Sequence, residues 1–207
     1  MNSRNWVRLF LSTLAVGGMS AAVVGFAVRW EEYRELFVEL QFAEIFAVLT
    51  WLVGVGFIFS LISQMGFFAY LTIHRFGIGI FRSVSLWTGV QIVLIVFVLF
   101  DLVYFRYRFF AQENDSILHY MLVSIFLLCI GVAVAFLKAR QTKKEAFIPA
   151  LFFMIVITTV EWFPALRTNE ESWLYLMLFP LLICNMYQLL ILPKLTLRTS
   201  ILKTTGK

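Results

Sequence analysis

Six stretches of the chain run for eighteen residues or more either without a charged side chain or broken by a single acid, and nothing else in the sequence constrains the fold as strongly. A backbone amide left unpaired in hydrocarbon costs several kcal/mol, so an apolar segment of roughly 18 or more residues crosses a bilayer as a helix. The runs predict spans at 7–28, 45–70, 83–105, 116–137, 146–166 and 172–193. The third includes Asp101, and the fifth includes Glu161 and ends near Pro164. The predicted class is all-α: a polytopic membrane protein with six transmembrane helices in a single domain over residues 1–207. Composition agrees. With 61% hydrophobic and 14% charged residues, a chain of 24.0 kDa carries more apolar surface than a water-surrounded core can hide.

Orientation follows from lysine and arginine in the short connections, because cationic segments resist translocation. Twelve of the seventeen basic residues fall on one side: Arg4, Arg8, Arg75, Arg82, Lys138, Arg140, Lys143, Lys144, Lys194, Arg198, Lys203 and Lys207. Only Glu145 of the acids joins them. Arg29, Arg34, Arg106, Arg108 and Arg167 lie on the other side with the remaining acids. Both termini are therefore expected in the cytoplasm. The net charge of +5 reads as a membrane dipole, and no nucleic-acid partner is expected. Arg4 and Arg8 precede the first span as the basic region of a signal peptide would. Its apolar run continues to Val28 and is bracketed by Trp6 and Trp30, so it is expected to remain as a helix.

The longest connection, Arg29 to Glu44, spaces Trp30, Tyr33, Phe37 and Leu40 by three or four residues among acids, which predicts an amphipathic surface helix. Beyond Pro193, basic and apolar residues alternate in a pattern suited to anionic lipid. Gly17, Ala21 and Gly25, widened by Gly18 and Ala22, form a ridge of small residues, as do Gly131, Ala135 and Ala139. Such ridges are helix contact faces, within the chain or towards another protein.

Catalytic signatures are missing from the sequence: no zinc-binding His-Glu-x-x-His, no nucleophile elbow, no phosphate-binding glycine loop. His74 and His119 fall on opposite faces of the predicted bundle and cannot share an ion. Cys129 and Cys184 sit mid-span, where a thiol acts as a small hydrophobe. No enzyme activity, metal or cofactor is expected. The polar residues within spans carry more information, since each needs a partner in lipid. Gln64 and Gln91 both fall about 13 Å from the cytoplasmic boundary at 1.5 Å per residue, within reach of each other. Asn185 and Gln188 join them in a predicted amide cluster, read as packing glue or as a ligand site. Asp101 and Glu161 are expected at matching depth near the outer ends of their helices, with Arg106, Arg108 and Arg167 available as counter-ions. A carboxylate pair there suits a small solute or ion transporter, the alternative function.

The densest local pattern is Ser63-Gln64-Met65-Gly66-Phe67-Phe68, then His74-Arg75-Phe76-Gly77, then Phe81, Arg82, Trp87 and Gln91. Together with the opening Ser3-Arg4-Asn5-Trp6-Val7-Arg8 and the overall length, it resembles the KinB-signalling pathway activation family of endospore-forming bacteria. The resemblance implies a multi-pass membrane protein needed for a membrane-bound sensor histidine kinase to feed the sporulation phosphorelay, and no active site. The expected partner-contact residues are His74, Arg75 and Arg82 first, then Lys138, Arg140, Lys143 and Lys144. Homo-oligomerisation is left open.

Overall fold

In the computed structural model the described residues are 3–111 and 116–205, except for the side chains of His119 and residues 196–205. The expected contacts of Arg198, Lys203 and Lys207 therefore lie outside the described residues, as does the His119 side chain. The described chain is helical throughout: α1 Ser3–Val28, α2 Trp30–Val38, α3 Phe42–Phe81, α4 Val84–Phe110, α5 Ile117–Gln141, α6 Phe147–Phe152, α7 Thr158–Thr168 and α8 Glu171–Thr205. A wide π-helical turn, Phe153–Ile157, joins α6 to α7 into one rod. Among the described residues, six helical rods are long and apolar enough to cross a membrane.

α1 packs along both α3 and α8. A β-carbon on Gly17 would lie 2.5 Å from Ser60 Cβ, and one on Gly56 would lie 2.8 Å from the α-carbon of Gly18. The first small-residue ridge therefore serves packing within the chain, where bare backbones approach closely. The second does so in part, since a β-carbon on Gly131 would meet Ile155 at 3.1 Å. At one end Asn5 Nδ2 donates to the Leu195 carbonyl (2.9 Å) and Trp6 packs on Phe68 (5.1 Å between ring centroids). That end carries His74, Arg75, Arg82, Lys138, Arg140, Lys143 and Lys144 and is the basic end of the bundle. At the opposite, acidic end, Arg29 lies over the rings of Trp51 (5.8 Å) and Trp173 (5.4 Å) and clamps α1, α3 and α8 together.

Four boundaries differ from the sequence reading. α3 does not stop near residue 70 but runs forty residues, about 60 Å at 1.5 Å per residue. Most of the expected connection between residues 70 and 83 forms its last three turns. The helix ends where Arg82 adopts the left-handed conformation (φ 49°) and Ser83 Oγ caps the Leu86 amide of α4. α8 does not stop at Pro193 but continues through it. Lys138 and Arg140 stand on α5, which extends to Gln141, instead of in a loop. The acidic surface helix forms, but only over Trp30–Val38. Tyr33 is buried against Phe26, while Leu40 lies beyond the helix with φ 53° and is exposed.

Candidate functional site

A chain of polar side chains threads the apolar centre of the bundle. Gln188 Nε2 donates to Ser63 Oγ (2.6 Å), and Ser63 Oγ donates to Asn185 Oδ1 (2.7 Å). Asn185 Nδ2 in turn donates to Glu161 Oε2 (2.6 Å) and Thr158 Oγ1 (2.9 Å). Gln64 Nε2 donates to Ser60 Oγ (3.2 Å) one turn before Ser63. The chain joins α3, α7 and α8, and each bond replaces one that lipid cannot offer. Gly66 lies directly under Glu161. A side chain there would occupy the space of the carboxylate, so only glycine leaves room for it.

This arrangement corrects two expectations. Gln64 and Gln91 do not bond each other: Gln64 turns along its own helix to Ser60, and both amide atoms of Gln91 are buried without a partner. The π-helical turn before α7 inserts an extra residue into the helical repeat, Glu161 accepts from Asn185, and Asp101 is half-buried on α4. Neither acid forms an ion pair among the described residues. Arg106, expected as a counter-ion, instead donates to Asn169 Oδ1 (3.3 Å) and lies over Tyr120 (5.5 Å), while Arg108 and Arg167 are exposed. Cys184 is buried beside the Thr13 carbonyl (3.9 Å), whereas Cys129 faces outward on α5.

The second constellation lies at the basic end, where α3, α4, α5, α6 and α8 surround a cavity of about 350 Å³. His74 Nδ1 accepts from Trp87 Nε1 (3.1 Å), and the Trp87 ring rests on bare Gly77, where a β-carbon would come within 2.5 Å of it. Tyr70 donates to the Pro149 carbonyl (3.0 Å), which holds the start of α6 against α3. Lys138 Nζ donates to the Leu189 carbonyl (2.6 Å). Pro193 has no N–H, so that carbonyl lacks its usual donor four residues on, and Lys138 takes the donor's place. The continuation of α8 through Pro193 is explained by this bond. Sequence reasoning named Lys138 but missed its task; a lysine on one helix and a proline on another give no linear signal of their meeting.

Of the seven expected contact residues, His74, Lys138 and Lys143 line this cavity together with Glu145. Arg75, Arg82, Arg140 and Lys144 are exposed, and Arg140 folds back over the Phe136 ring (4.3 Å). No group of three or more His, Cys, Asp or Glu side chains placed to hold a metal ion occurs among the described residues.

Fold and site together define an all-helical bundle of apolar rods, sewn together by buried amides and open at one basic end. The sequence profile of the family described as KinB-signalling pathway activation in sporulation matches residues 17–195. A KinB-signaling pathway activation protein of Bacillus subtilis (strain 168) is 54% identical over 194 residues, covering 94% of this chain and 98% of that relative. The chain belongs to the KinB-signalling pathway activation family. No solved structure matches it.

Proposed function

We propose that this protein is a multi-pass protein of the bacterial cell membrane that activates a KinB-type sensor histidine kinase feeding the sporulation phosphorelay, without catalysing a reaction itself. The observation that carries this reading is the 54% identity to a KinB-signaling pathway activation protein across nearly the whole of both chains. Six rods of membrane-crossing length and the gathering of basic residues at one end support the membrane placement, with both termini cytoplasmic. Activation by contact requires only that the protein bind the kinase's active conformation more tightly than its inactive one, and a few kcal/mol of difference suffices. The exposed Arg75, Arg82, Arg140 and Lys144 are the residues assigned to that contact.

Co-purification with the kinase in mild detergent, paired with a sporulation reporter in a deletion strain, tests the proposal. Charge reversal at Arg75 and Arg82 is expected to lower both the yield of complex and the reporter signal. Normal kinase output in the deletion strain would end the reading. Cysteines placed at Ser3 and Lys194 should react only with membrane-permeant thiol reagents in intact cells; reaction of one of them with an impermeant reagent would overturn the orientation.

A further inference from the structure

The cavity at the basic end has a chemistry that packing does not require. Its volume, about 350 Å³, lies in the ~300–1,000 Å³ range of small-ligand sites. Lys138 and Lys143 bring two positive charges to its wall against the single negative charge of Glu145. An ammonium has three donors, and Lys138 uses one on the Leu189 carbonyl. The rest of the wall is largely aromatic and aliphatic, with Tyr70 and Trp87 inside and Val84, exposed on α4, at the rim.

We infer that this cavity holds the headgroup of an anionic glycerophospholipid, its phosphodiester against Lys138 and Lys143 and its glycerol and first acyl carbons along Trp87 and Tyr70. The inference rests on the membrane placement proposed above. A phosphodiester carries one negative charge, matching the excess of two lysines over one glutamate, whereas Glu145 would oppose a dianionic phosphomonoester. A soluble phosphate would gain nothing from the apolar wall. A lipid entering between α4 and α6 fills both halves of the cavity, as basic pockets between membrane helices commonly do on the cytoplasmic side.

Native mass spectrometry of the purified protein, titrated with phosphatidylglycerol, phosphatidylcholine or glycerol 3-phosphate, tests the site. Phosphatidylglycerol should form a single tight adduct and bind at least about fivefold better than phosphatidylcholine, the factor expected for one lysine–anion contact near a membrane surface. Lys143→Gln, which breaks no internal hydrogen bond, should lose about that factor. Lys138→Met should lose as much and also the bond to α8, so its folding is checked by size exclusion. Arg75→Gln with Arg82→Gln, basic residues outside the cavity, should bind as the wild type does. Equal binding of the two lipids, equal loss in the Arg75/Arg82 control, or glycerol 3-phosphate binding as tightly as the lipid would each overturn the site. Carbonate washing separates the failures: release of the protein from membranes refutes the membrane placement, whereas retention with indiscriminate lipid binding refutes only the cavity.

Discussion

Gly56→Ala isolates the approach of α1 to α3 in a single methyl group. The added carbon would collide with the Gly17 carbonyl oxygen and sit 2.6 Å from Ala21 Cβ and 2.8 Å from Gly18 Cα, where ordinary contact begins near 3.4 Å. All three obstacles are main chain or attached directly to it, so no rotamer change relieves them and the helices must separate by about 0.6–1 Å, a gap that forfeits a quarter to a half of each dispersion contact along the seam. Overpacking of this kind costs about 1–3 kcal/mol. Leaving glycine also gains about 1 kcal/mol of helix propensity. Gly54→Ala, on the same helix with nothing within 4 Å of the added carbon, gains the same amount without the clash. The propensity gain therefore cancels in the difference between the two variants, and Gly56→Ala should be the less stable by about 1–3 kcal/mol. SDS titration of the purified proteins in mild detergent, followed by tryptophan fluorescence, measures that difference. If the two variants unfold at the same SDS fraction, the glycine seam does not set the helix spacing and the account of the α1–α3 packing is wrong.

The Lys138 bond to Leu189 predicts a specific rescue. Lys138→Met should cost about 1–2 kcal/mol by leaving the carbonyl unpaired. Pro193→Ala returns the missing N–H, so the same change in that background should cost about 1 kcal/mol less, and strict additivity in the double-mutant cycle would refute the substitution of lysine for the absent donor. Asn185→Leu strands Ser63, Thr158 and Glu161 and should destabilise by about 2–4 kcal/mol, whereas Asp101→Asn should stay within about 0.5 kcal/mol and leave the sporulation reporter unchanged. Equal losses at the two positions in SDS titration would contradict a stabilising role for the buried hydrogen-bond chain. Asn169 ends α7 with φ 50°, a conformation that costs an alanine about 1–2 kcal/mol, so Asn169→Gly should melt above Asn169→Ala although both lose the Arg106 bond. Indistinguishable melting would show that the turn relaxes.

The parts legible in the sequence are those decided by transfer between water and hydrocarbon. Counting uncharged runs located six helical rods, since that free energy depends only on which residues are consecutive. The small-residue ridge from Gly17 to Gly25 was readable for a similar reason: a helix with no side chains on one face can only be intended for close approach. The errors cluster where a second element intervenes. Pro193 reads as a terminator until Lys138 supplies the missing donor, and the stretch between residues 70 and 83 reads as a connection until Trp87 packs on Gly77.

The amino-acid order by itself determined that this protein is a bundle of six apolar helices with its basic residues gathered towards one end, because burial and charge are properties of local segments. The tertiary structure alone decided which polar groups meet. Glu161 on α7 meets Asn185 on α8 beyond a π-helical turn in its own rod, and His74, Lys138 and Lys143 share one cavity because five helices surround it. A hydrogen bond depends on distance and angle between groups far apart in the chain, and hydrophobic periodicity carries neither quantity.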